Sequence, residues 1–172
     1  MNALERPMPG DLPAFYQRYI DQADGRDLLE ALSTASEHTW AAVRRIPPEK
    51  AHFRYAPGKW TIEQLVQHLI DSERVFAYRA LRFARNDNTD LPGFDEDAWA
   101  AATEGSLRSL RVIMVEHDAV RNASITLFQG LSADELQRTG TANGNRFSVA
   151  ALGWAIAGHA MHHVKVLNER YL

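Results

Sequence analysis

The sequence predicts an all-α protein, a four-helix bundle with irregular connecting loops. Apolar residues recur at three- and four-residue spacing in long segments. Good capping residues open these segments, and glycine or proline closes them. Strand signals are nearly absent. The 172 residues are long enough to bury one core, and 1–172 is read as a single domain with 1–11 as a flexible N-terminal arm.

The first pattern runs from Leu12 to Arg45, with a break expected near Asp24-Gly25. Leu28, Leu32, Ala35, Thr39 and Val43 share one face, and Pro47-Pro48 ends the run. Residues 51–60 read as loop, with Pro57-Gly58 as punctuation. Thr61 and Gln64 then form a capping box. Ile62, Leu65, Val66, Leu69, Phe76 and Leu81 make an apolar stripe reaching about Arg85. Residues 86–97 are too long for a simple bundle turn, and such loops often carry function. A short helix over 96–102 is expected to turn Trp99 inward. The next long helix is expected to be capped by Ser106, to carry Leu110, Ile113, Val120, Ser124, Leu127 and Phe128 on one side, and to stop at Gly130. Asn143-Gly144 suits a tight turn in a short hairpin. Ser148 caps the last helix, which runs to about Tyr171.

Composition excludes several classes of function. The formal net charge is −3, which gives no electrostatic footprint for nucleic acid or an anionic membrane. The N-terminus lacks an apolar run of signal-peptide length, so secretion is not expected. Residues 147–164 are uncharged over the length of a short span. Their histidines, Ser148 and alanines suit a buried bundle helix better, and a cytoplasmic protein is expected. There are seven histidines and no cysteine. Thiolate metal sites, disulfides and a cysteine nucleophile are therefore excluded, and any transition-metal site must use histidine and carboxylate.

His159 and His163 lie four residues apart on the last helix and project on one face. That face is the stripe of Val149, Leu152, Ile156 and Val166. Two such imidazoles can share one ion at about 2.0–2.1 Å. The competing reading is a pair of core histidines satisfied by carbonyls or carboxylates. Ala160 stands where a His-Glu-x-x-His protease carries its general base, which argues against that mechanism. His162 lies about 60–100° round the helix, which favours a rim or supporting role. For a third ligand the pattern offers both His68, beside Leu65 and Ser72, and His117, in the row of Leu110, Ile113 and Val120. His117 also reads as a boundary histidine paired to a carboxylate, and His38 and His52 as solvated or loop residues. Asp71 or Glu73 is placed to orient a ligand imidazole through its second nitrogen, or else to serve as an ordinary helix charge. Trp60, Trp99 and Arg146 are candidates for the mouth of such a site.

Lys59-Trp60-Thr61-Ile62 and Gln67-His68-Leu69-Ile70-Asp71-Ser72 resemble the second-helix signature of the DinB-like superfamily, especially its YfiT-like branch. Leu91 to Ala100 resembles that branch's connection into the third long helix, and Gly158-His159-Ala160-Met161-His162-His163 its last-helix motif. The resemblance spans about residues 57–168, with the pieces in the family's order. It implies DinB-like topology, often a homodimer, and a divalent metal held by three histidines that carry over onto His68, His159 and His163. Nickel or zinc is the usual metal implied, with iron or manganese in some members. Characterised relatives look like transferases or isomerases that use low-molecular-weight thiols such as bacillithiol, mycothiol or glutathione; others are described as metal-dependent hydrolases. Ala160 and the run Val164-Lys165-Val166-Leu167 depart from polar positions common in relatives. The resemblance thus implies a metal-dependent enzyme acting on a small molecule, its sulfur supplied by a cosubstrate if thiol chemistry is used. The alternative is a non-catalytic, stress-associated bundle that binds metal or ligand.

Overall fold

The computed structural model describes residues 5–7, 13–103 and 108–172. In chain order α1 (Ala14–Ile20), α2 (Leu28–Val43), α3 (Ile62–Ala84), α4 (Glu96–Ala102), α5 (Leu110–Gln129) and α6 (Ala133–Gln137) precede a hairpin. The hairpin strands are β1 (Thr139–Ala142) and β2 (Asn145–Ser148), and α7 (Val149–Val166) follows. The four long helices pack in the cyclic order α2, α7, α3, α5, with α5 closing on α2 and α1 lying along α7. The consecutive helices α2 and α3 therefore stand diagonally.

Local chemistry accounts for the helix starts. Thr61 Oγ1 accepts from Gln64 N at 3.1 Å while Thr61 N donates to Gln64 Oε1 at 2.9 Å, which is the expected capping box. Ser148 Oγ accepts from Ala151 N at 3.1 Å and opens α7. The predicted face of α2 is buried at every position, from Leu28 to Val43. The break before it occupies residues 21–27. Arginine 85 caps α3 and Gly130 caps α5 at their C-termini, as expected. Leu81 departs from its stripe and is 40% exposed.

Two apolar clusters fill the bundle. One gathers Leu28, Leu32, Phe83, Phe128, Phe147 and Trp154; the other gathers Val43, Ile62, Val66, Ile113, Met114 and Leu167. Between them along the helices lies a buried polar layer of Thr39, Glu73, His117, Arg121 and Ser124. Arg121 donates from Nε and Nη2 to the Glu73 carboxylate at 2.8–3.1 Å. Residues 149–160 of α7 are all buried, and no helix among the described residues is long and apolar enough to cross a membrane.

Two expectations lie partly or wholly outside the described residues. Ser106 is one, and Ser109 occupies the N-cap of α5. Most of the arm over 1–11 is the other. Within it, Arg6 sits over the Trp154 ring at 5.0 Å and the Glu5 carbonyl accepts from the Trp154 indole at 3.1 Å. This part of the arm is thus seated on the bundle by an indole that needs an acceptor once buried.

Candidate metal centre

Helix α3 brings His68, and α7 brings His159 and His163, to one point. His159 Nε2 lies 3.0 Å from His68 Nε2 and 3.1 Å from His163 Nε2. Among the described residues these three form a group whose ligand atoms all lie within 4.8 Å of one another. Nitrogens that share an ion at about 2.0–2.1 Å stand about 2.9–3.4 Å apart, so the separations fit a common divalent cation. Each Nε2 has one in-plane site, an N–H or a lone pair. His159 Nε2 therefore forms one well-aligned hydrogen bond, not two, and a cation satisfies the cluster better than a shared proton does.

Electrostatics prepare the nitrogens for this. Burial holds His159 and His163 well below the ordinary imidazole value, helped by neighbouring histidines. Burial also brings His68 down to about 4 against the opposing charge of Asp97. All three are neutral at pH 7, as metal ligation requires. Ser72 Oγ lies 3.4 Å from His68 Nδ1. His163 Nδ1 is buried without a hydrogen-bond partner among the described residues.

The histidines form part of the wall of a cavity of about 290 Å³, shared with Tyr19, Trp60, Phe76, Arg79 and Asn143. Trp60 donates its indole N–H to Asp97 at 2.9 Å. Its ring centroid lies 4.6 Å from that of His68, and it stacks on His163 at 6.3 Å. Tyr19 meets both His159 and His162 edge-on at 5.3 Å. Gly158 makes this approach possible, because a Cβ there would lie 1.8 Å from the Tyr19 carbonyl oxygen. Behind the part of the wall that Asn143 supplies, Leu91 N donates to Thr141 O at 3.0 Å and Asn143 N to Leu91 O at 2.9 Å. These bonds fix the 86–95 loop to the hairpin, whose turn has φ of 50° at Asn143 and 69° at Gly144. Asparagine and glycine tolerate that conformation best.

The other candidates are placed as follows. His162 lines the cavity beside His163, ring centroids 5.1 Å apart. Asp71 accepts from Gln67 Nε2 at 3.0 Å and contacts no imidazole nitrogen among the described residues; burial raises its pKa. The Glu73 carboxylate is taken up by Arg121. His117 is 1% exposed on α5, apart from the cluster, with Nδ1 3.4 Å from Asp118. His38 is exposed, and His52 lies 2.8 Å from Glu63. Trp99 does not turn inward: it is 43% exposed and stacks on Phe94 at 4.5 Å. The inward side of α4 belongs to Ala100, whose carbonyl accepts from Gln64 Nε2 at 2.8 Å. Arg146 stays on the hairpin, donating to Thr139 Oγ1 at 2.8 Å, and does not line the cavity. Tyr19, Phe76, Arg79, Glu96 and Asn143 line it although none of them was a sequence candidate for the site. Arg79 alone left a signal there, as a charge at a stripe position between Phe76 and Phe83.

Fold and site together define a class: helical bundles with a three-histidine cluster opening on a small aromatic cavity. The family model of the DinB superfamily matches residues 31–167. The chain belongs to the DinB superfamily. A protein of Oceanobacillus iheyensis, provisionally described as a metal-dependent hydrolase, is 25% identical over 146 residues, 82% of each chain. A protein of Bacillus cereus with the same provisional description is 25% identical over 150 residues, 86% of each chain. YfiT from Bacillus subtilis superposes with a TM-score of 0.69 over 99% of this chain and 98% of its own, at 17% identity. It is described as having an unusual four-helix bundle topology, and the likeness establishes the fold.

Proposed function

We propose that this protein is a divalent-metal-dependent enzyme acting on a small molecule, either a low-molecular-weight-thiol-dependent transferase or a hydrolase. Nickel or zinc is assigned to His68, His159 and His163. The observation that carries this is the convergence of three neutral Nε2 atoms on the wall of a 290 Å³ cavity. Three protein ligands leave a position open for a reactant. A bound divalent ion would supply a Lewis acid that lowers the pKa of a water or thiol there. Trp60, held by Asp97, packs its ring against two of the imidazoles. His162 lines the cavity outside the ligand set, and burial keeps it neutral, so its imidazole is available to accept the nucleophile's proton. With no cysteine in the chain, any sulfur nucleophile arrives with a cosubstrate. The provisional descriptions of the O. iheyensis and B. cereus relatives support metal dependence and leave the nucleophile open. The proposal includes a cytoplasmic homodimer.

Elemental analysis of protein purified without a histidine tag tests the centre. One equivalent of divalent metal is expected, with most of it lost in His68→Ala and His163→Ala. Wild-type metal affinity in those variants overturns the ligand set. Monochlorobimane offered with several low-molecular-weight thiols, beside a panel of ester and amide substrates, separates transfer from hydrolysis. Metal binding with no turnover in any assay favours a carrier. Light scattering should give twice the mass of one chain.

A further inference from the structure

Two arginines are buried in this bundle, and they are treated differently. Arg121 is 2% exposed and held by Glu73. Arg79 is also 2% exposed, yet it forms no ion pair with a carboxylate among the described residues. Its Nη2 donates to the Pro92 carbonyl at 2.7 Å, and its guanidinium lies 5.9 Å from the Phe76 ring. The other N–H groups have no protein acceptor among the described residues, and Arg79 lines the cavity shared with the three histidines. Glu96 lines the same cavity without pairing to it. A guanidinium stays charged in proteins, and an unpaired buried charge is unfavourable until an anion meets it.

We propose that Arg79 is the anion-binding residue of this cavity, taking the carboxylate of a small, largely apolar organic acid whose reacting end faces the three histidines. This rests on reading the cavity as the active site. The planar fork of Arg79 matches a carboxylate in two parallel bonds. Phe15, Tyr16, Tyr19, Trp60 and Phe76 offer aromatic surface to the rest of the ligand. Such walls favour a singly charged carboxylate over a doubly charged phosphate, whose desolvation is costlier.

Calorimetry with 3-phenylpropionate and its neutral amide, on the full chain as purified and after chelation, tests the assignment. The acid should bind at least about tenfold more tightly than the amide, as one charge-assisted bond implies. The preference should survive chelation, fall within about twofold in Arg79→Gln, and persist in part in Arg79→Lys. No binding of the acid, equal affinities in wild type, or an intact preference in Arg79→Gln overturns the proposal. A preference that vanishes on chelation places the carboxylate on the metal and also overturns it. If Arg79→Gln fails to fold by circular dichroism, the acid–amide ratio in wild type and Arg79→Lys still decides. Failure of the metal centre itself shows as missing metal or turnover, which these ratios do not measure.

Discussion

Glu73 and Arg121 have side chains only 3% exposed, joined at 2.8 Å across α3 and α5. Removing one charge strands the other, so Glu73→Gln should cost about 3–5 kcal/mol in urea unfolding. The double change Glu73→Met with Arg121→Met should recover most of that loss. His117 lies in the same layer, and burial followed by the charge of Arg121 holds its pKa below the usual 6.5. Between the folded and unfolded values the unfolded chain binds more protons, so His117 contributes stability above about pH 6.5 that is lost as pH falls. In chelator, melting temperature should therefore drop less from about pH 7 to about pH 5 in His117→Leu than in wild type. The sequence could not separate Asp71 from Glu73, since both follow His68 within about a turn and a half. Their fates depend on Arg121, 48 residues beyond Glu73. The spacing of His159 and His163 was legible from helix geometry alone. The third member was not legible from spacing, because His68 and His117 both adjoin apolar rows; the family resemblance pointed to His68, and the packing of α3 on α7 is what brings it beside the pair.

Helix existence was legible wherever a cap and an amphipathic face coincided, as at Thr61 and Ser148. Facing directions were less so on short elements, where few positions define a stripe. Seven-residue α4 turns Ala100 inward and leaves Trp99 outside. The close crossing of α1 over α7 had no signal beyond Gly158 itself, which in a helix interior looks merely unfavourable. In the fold it is what lets α1 press Tyr19 against His159. Gly158→Ala should push α1 away and destabilise by about 1–3 kcal/mol, in spite of alanine's better helix propensity. Thermal or denaturant unfolding checks the sign: a stabilised variant would mean that α1 shifts freely.

At the scale of the whole molecule, the candidate centre joins helices whose ligands are 91 residues apart in sequence, His68 on α3 and His159 on α7. Both apolar clusters already join α3 to α7, through Leu69 and Ala160 in one and Val66 and Val164 in the other, and the three histidines add a polar tie beside them. A metal bound there acts on the global equilibrium, because the unfolded chain cannot bring these three nitrogens together and so binds the ion weakly. Free metal at a hundred times its dissociation constant stabilises by about 2.7 kcal/mol, or roughly 5–11 °C for a chain of this size. Chelation should lower the melting temperature by about that much. The shift should grow with the logarithm of free metal concentration and be absent in His163→Ala. A shift that persists in His163→Ala would place the stabilising ion elsewhere in the molecule. A melting temperature indifferent to metal in wild type would mean that the three nitrogens hold no ion at these concentrations.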